Sequence, residues 1–320
     1  FQIESDYIGF MCPAMPATAS LIADKIGRIM NYGDGLYGGI FVAALYAEAF
    51  IEKDITTIAE KALLSIPSQS DYYKIVRDVI ALHNHYPDDW RAAWNELEAK
   101  WGDVDICGAG SSFNIDAKLN GAYIVMGLLY GGGDPMKTLE ISTRCGQDSD
   151  CNPSNALAVL GVITGFSGLP AEMQDGVKAV GDSLFIHTSY SFNTAVESTY
   201  KYDLNFINGN GGRISGNKVA IRVQKPFEPR HEDAFPGVVF DKKISVFSDA
   251  WKRKGKWTEH EVTGRDKQVR KQSMWAEKEG DELELKFNGT GISLEGNWYK
   301  NGGKADVWID GKLHRSIDTY

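Results

Sequence analysis

The period of the apolar residues changes once along this chain, near residue 200, and that change limits its possible folds more than any other feature. Upstream, apolar side chains recur every three or four residues. In Asp71–His83, the residues Ile75, Val76, Val79, Ile80 and Leu82 fall on one side of a helix. Trp94, Leu97 and Trp101 do the same in Trp90–Trp101, which Asp88 and Asp89 precede. Asp54 can cap a helix over Thr56–Leu64 that Pro67 ends, Pro135 can begin one through Ser142, and Pro170–Phe185 gives another. Downstream the period is two. Lys218–Val223, Asp281–Phe287, Gly291–Glu295 and Ala305–Ile309 alternate, and Asn301-Gly-Gly and Asp310-Gly311 are hairpin-type turns.

Two domains are therefore expected: an all-α domain over residues 1–198 and an all-β, jelly-roll-like sandwich over 237–320. The connection, 199–236, is marked by Asn208-Gly-Asn-Gly-Gly212, Pro226, Pro229 and Pro236. Charge follows the same division. Residues 1–200 hold 12 basic and 25 acidic side chains, a balance of −13, while 201–320 hold 22 and 18, a balance of +4. A length of 320 residues is enough for two cores. No apolar run is long enough to span a bilayer. Lys252-Arg-Lys-Gly-Lys256 is followed by Glu259, Glu261 and Asp266, so it reads as a solvated turn and not as a nucleic-acid patch. Cys12, Cys107, Cys145 and Cys151 form no CxxC pair, and the six histidines lack metal-site spacing. Buried thiols are expected, not zinc or a disulfide framework. Both ends look internal to folded elements, so the lack of a leader says nothing about compartment.

Three helix entrances carry the candidate chemistry. Asn31-Tyr-Gly-Asp-Gly-Leu-Tyr-Gly-Gly39 has four glycines in seven residues and leads into an apolar helix from Ile40. It serves either to bring backbone amides close to an anion such as a phosphate or to pack helices tightly. Asn114 can cap a helix running to Tyr130, on which Asp116 and Asn120 share a face with Tyr123 while Lys118 points elsewhere. Their surroundings are apolar, so the carboxylate needs a ligand, a metal or a hydrogen-bonding neighbour. The third is Arg144-Cys-Gly-Gln-Asp-Ser-Asp-Cys-Asn-Pro153, in which Asn152 can cap a helix that Pro153 starts, with Asp148 and Asp150 in the entering loop. Two carboxylates two residues apart repel unless a cation lies between them, and oxygen ligands suit Mg²⁺, Ca²⁺ or Mn²⁺ better than zinc.

In this order the three segments resemble the ADP-ribosylglycohydrolase family, which includes the dinitrogenase reductase-activating glycohydrolases. Gly146–Asn152, followed by a small-residue helix ending at Gly165, looks like the family's C-terminal metal motif, and Asn31–Gly39 looks like its ligand-cradling glycine loop. The resemblance implies an all-α fold over 1–195 with a dinuclear Mg²⁺ or Mn²⁺ site that activates water against a ribosyl glycosidic bond. It implies that Asp150 binds metal directly and that Asp148 orients the site or supports a ligand. Asn31, Gly33, Asp34, Gly35, Tyr37, Gly38, Asp116 and Asn120 are then expected to hold the substrate. Two departures stand out. Cys151 occupies a position where the family uses a Thr or Ser hydroxyl as ligand, and a thiol suits a hard cation less well. The family's first metal motif, a Thr-Asp-Asp type segment, is not in this sequence and is expected in a preceding one.

The expected substrate is a small molecule or an ADP-ribosylated or glycosylated protein, with no nucleic acid as partner. The β-module resembles those appended to secreted polysaccharide-processing enzymes, which leans the expected location to the periplasm or outside. It also raises a glycan-directed glycosidase, or a non-catalytic binding relative, as alternatives. Trp298, Tyr299 and Trp308 read first as core aromatics and second as sugar platforms.

Overall fold

The computed structural model describes residues 1–102, 115–232, 242, 244–263, 269–294, 296 and 300–319. Cys107, Asn114, Pro236, Asp266, Glu295, Trp298 and Tyr299 lie outside the described residues. Eleven α-helices are described: α1 (Asp6–Phe10), α2 (Pro16–Gly27), α3 (Asp34–Ala49), α4 (Ile55–Leu63), α5 (Asp71–His85), α6 (Trp90–Trp101), α7 (Ala117–Gly131), α8 (Pro135–Arg144), α9 (Cys151–Thr164), α10 (Ala171–Val180) and α11 (Phe192–Gly209). Local chemistry places several of their starts. Asp54 accepts the Thr57 N–H at 2.8 Å to open α4, and Asp89 accepts those of Arg91 and Ala92 to open α6. Asp134 does the same for α8 ahead of Pro135.

Two helices, α3 and α7, are apolar nearly all round and therefore run through the core. Helices α1, α2 and α4 pack against α3, while α5 and α8 pack against α7, and α9 touches both central helices. Tyr37, Phe41 and Tyr46 of α3, Tyr72 of α5 and Tyr123 of α7 are the large side chains of this core. The buried hydroxyls have partners: Tyr72 donates to Gln2 Oε1 at 2.8 Å, Tyr46 to the Asn155 carbonyl at 3.0 Å, and Tyr123 to Glu98.

The expected connection has more structure than its composition implied. Helix α11 runs through position 198 to Gly209, with Ser191 and Thr194 forming a capping box. A short hairpin follows, β1 (Arg213–Ser215) with β2 (Lys218–Ala220), and then an extended segment pinned to the helices by Gln224 and by Arg230–Glu232. The described residues through Glu232 form one compact unit and those from Lys242 onward another.

In the second unit β3 (Trp251–Lys254) pairs with β6 (Glu282–Leu285), β4 (Thr258–Thr263) with β5 (Val269–Trp275), and β7 (Lys304–Ile309) with β8 (Lys312–Asp318), all antiparallel. The alternation thus identifies β2, β6 and β7, and Asp310-Gly311 is the β7–β8 turn, with φ of +49° and +75°, whereas Asn301-Gly-Gly precedes β7 without joining it to a paired strand among the described residues. Gly291–Leu294 is not a strand, and Lys252–Lys254 lies on β3, Lys254 pairing with Glu282 at 2.7 Å. A sandwich needs two sheets facing each other over buried side chains. Among the described residues the strands pair only two by two and no described side chain of this unit is buried, those of 262, 263, 270 and 272 not being described, so antiparallel strand pairs are what the structure shows.

Candidate functional site

The loop from Cys145 to Asp150 turns sharply because Gly146 and Gln147 both have positive φ, +97° and +52°. For a glutamine this is uncommon, and its side chain explains how the conformation is held. Gln147 Oε1 accepts the Asp116 N–H at 3.1 Å and the Asn120 Nδ2–H at 2.9 Å. Asn120 completes the clamp. Its Nδ2 also donates to the Asp116 carbonyl at 2.8 Å, and its Oδ1 accepts from the Asp148 N–H at 3.1 Å and from Asn152 Nδ2 at 2.7 Å. A buried amide with every hydrogen-bonding direction used fixes the loop to α7 and α9.

That clamp delivers Asp148, Asp150 and Cys151 to one place, with a ligand atom of each within 4.8 Å of the others. Asp150, not Asn152, caps α9, accepting the Cys151 N–H at 2.9 Å; Asn152 is instead buried on Asn120. Burial pushes the Asp148 carboxyl above its ordinary range, and the Asp150 carboxyl beside it adds to the rise. Asp150 is exposed, and hydrogen bonds from Asp148 and from the Cys151 amide hold its own value down. Asp150 is therefore the first of the pair to ionise as pH rises, and Asp148 the second. Burial, then Asp148, push the Cys151 thiol up to about 12, so it stays protonated.

The head of α7 differs from expectation in two respects. Asp116 is itself the N-cap, accepting the Lys118 N–H at 2.9 Å. Lys118 does not point away: its Nζ lies 3.0 Å from Asp116 Oδ1. Periodicity on an ideal wheel misplaced it, because Asp116 is the cap and not a helical position, and a cap side chain reaches the residue two further on. Asp116 Oδ2 is buried without a hydrogen-bond partner. Asp34 lies near this pair; burial raises its pKa, and the Tyr72 N–H, which donates to Oδ1 at 2.9 Å, and Lys118 offset part of the rise.

The glycine segment divides into two roles. Gly33 has φ +56° and ψ −131°, which a side chain would strain, and it caps α3 with Asn31 and Asp34 on either side. Gly35, Gly38 and Gly39 lie inside α3. A Cβ at Gly38 would stand 2.8 Å from Gln2 Oε1 and 2.9 Å from the Tyr72 ring, so Gly38 is a packing position. The same holds for Gly39 against Phe1. Tyr37 is buried, and its hydroxyl is used by the extended segment at 230–232. Gln147, Lys118 and Asn152 are the site's residues that periodicity missed as such; the positive φ that makes Gln147 a clamp is not visible in its letter.

Fold and loop together define a helical domain with a carboxylate pair at a helix entrance, braced by buried amides. Residues 3–193 match the family model described as ADP-ribosylglycohydrolase, and the chain belongs to that family. No curated protein and no solved structure matches the chain. The family suggests a hydrolase acting on glycosidic bonds. No helix among the described residues is long and apolar enough to cross a membrane.

Proposed function

We propose that the chain is a metal-dependent glycohydrolase that cleaves an ADP-ribosyl or related N- or O-glycosidic bond. The observation that carries this reading is the convergence of Asp148, Asp150 and Cys151 at the entrance of α9. The donor set fits Mg²⁺ or Mn²⁺ through its carboxylates, which repel each other until a cation or a proton separates them. The Cys151 thiol, protonated at neutral pH, fits such a cation poorly. Asp150 would hold the metal directly, and Asp148, its backbone pinned by Asn120, would orient the site. A divalent cation there supplies an acidified water and positive charge for the sugar oxygens. The backbone amides of the Asn31–Gly35 turn, at the N-terminus of α3, would receive the diphosphate side of the substrate. Asp116 and Asn120 brace the metal loop from α7.

Hydrolysis of ADP-ribosyl-arginine and -serine peptides with Mg²⁺, Mn²⁺ or EDTA tests this. Asp150→Ala should lower metal-dependent turnover by more than roughly 100-fold, since even supporting residues of a metal site are worth 10–100-fold. Turnover that EDTA leaves unchanged sinks the metal mechanism.

A second reading, a glycosidase for larger glycans, is favoured by Trp308, which is 60% exposed on β7 where a core position was expected. A glycan panel under the same three conditions separates the two.

A further inference from the structure

Gln224–Glu232 lies beyond residues 3–193, which match the family, yet it is tied at both ends to the elements that carry the glycine turn. At the first end Gln224 N–H donates to the Ala14 carbonyl at 3.0 Å, and its Oε1 accepts the Thr18 N–H at 2.8 Å. Its Nε2 donates to Thr18 Oγ1 at 2.8 Å and to Asn210 Oδ1 at 3.1 Å. At the other end Glu232 N–H donates to the Tyr37 hydroxyl at 2.6 Å, and that hydroxyl donates to the Arg230 carbonyl at 3.3 Å. The His231 ring stacks beside Tyr37. Between the anchors Pro226 and Pro229 offer no N–H to the helices.

The segment reaches the turn itself. The nearest atom to a Cβ built on Gly33 is the Glu232 carbonyl oxygen, at 3.8 Å. The Glu232 carboxylate also occupies the Arg28 guanidinium near the end of α2, with Oε1 2.6 Å from Nη1. Asp24 grips Arg28 from behind, through Nε at 3.2 Å and Nη2 at 2.8 Å, so the guanidinium is fixed with Nη1 turned to Glu232. Glu232 Oε2 is meanwhile buried without a partner, which makes the closed position costly to hold. A fixed arginine carrying an imperfectly satisfied carboxylate is ready to exchange it for another anion.

We infer that Gln224–Glu232 is a strap closed over the entrance of α3, which a diphosphate-bearing ligand lifts, replacing Glu232 with its own anionic group on Arg28. This rests on the reading that the Asn31–Gly35 turn receives the ADP-ribosyl group. It adds Arg28 as an anion-binding residue and Glu232 as the internal competitor.

Hydrogen exchange by mass spectrometry on the full chain, with ADP-ribose as the probe, tests it together with calorimetric binding. ADP-ribose should raise exchange across 225–232. Glu232→Gln weakens the latch and Gln224→Ala the far anchor, and each should tighten ADP-ribose binding by about 3- to 10-fold by raising the open fraction. Protection of 225–232 by ADP-ribose, or weaker binding in both variants, would make the segment a fixed wall and overturn the inference. So would failure of the wild type and both variants to bind ADP-ribose. If a variant does not fold, exchange in the wild type still decides. Strap release without metal-dependent turnover would remove the hydrolase and leave the strap; EDTA-sensitive turnover with an unresponsive strap would do the reverse.

Discussion

Asn120 shows how much of the site depends on one side chain. Its amide ties Asp116, Gln147, Asp148 and Asn152 together, and neither Asp nor Ala can reproduce two donors and two acceptors. Asn120→Ala should lower kcat/KM by about 10- to 100-fold, as losses of metal-supporting residues do, and should raise the metal concentration needed for half-maximal rate. A metal titration of the variant checks this. An unchanged half-saturation would assign Asn120 to folding alone. That Asp148 and Asp150 lie close together was legible from their spacing and charge. Lys118 was not, because its partner depends on where the helix begins, and a shift of the cap to Asp116 turns a distant residue into a neighbour.

At the scale of elements, α4, α6 and α8 were legible because each start carries its own chemistry, as with Asp54, Asp89 and Pro135, whereas the caps at Asp116, Asp150 and Ser191 were not. The glycines of α3 and α7 were ambiguous, since close packing and ligand approach both need a missing side chain. Gly121 of α7 illustrates the packing role: a Cβ there would run into the ring of Tyr72, which is fully buried. On an exposed helix Gly→Ala gains about 1 kcal/mol. Here Gly121→Ala should instead destabilise by about 1–3 kcal/mol, the usual cost of overpacking, as read from the denaturation midpoint. A rise in the midpoint would show that α5 yields easily to α7.

For the molecule as a whole, stability should depend on Asp203 of α11. Burial raises its pKa from about 3.8 to about 6, one oxygen is buried without a partner, and the nearby buried Cys12 thiol is itself held protonated, its pKa pushed up to about 12. The unfolded chain releases this proton near pH 4, whereas the folded one keeps it to about pH 6. The folded state is therefore penalised as pH rises through that window and stays penalised above it. Asp203→Asn should raise the melting temperature at pH 7–8 and make no difference below pH 4. With half the side chain still solvated, the gain is on the order of 1 kcal/mol. Equal shifts at both pH values would trace the effect to packing. The division into a helical and a strand-bearing part was legible because a change of period survives any arrangement of the elements. How the strands associate was not, since alternation specifies a face and not the face it meets.

By itself the sequence determined the helical and strand-forming halves, the starts of α4, α5, α6, α8 and α10, and the nearness of Asp148 to Asp150. These depend on period, caps and charge, which are local properties. The tertiary structure decided which residues meet: Gln147 and Asn120 behind the Cys145–Asp150 loop, Lys118 on Asp116, and a carboxylate from residue 232 on Arg28. The Asn120–Gln147 and Arg28–Glu232 contacts join residues 27 and more than 200 positions apart, and they exist only once burial of the apolar faces of α3 and α7 has fixed where each helix end points.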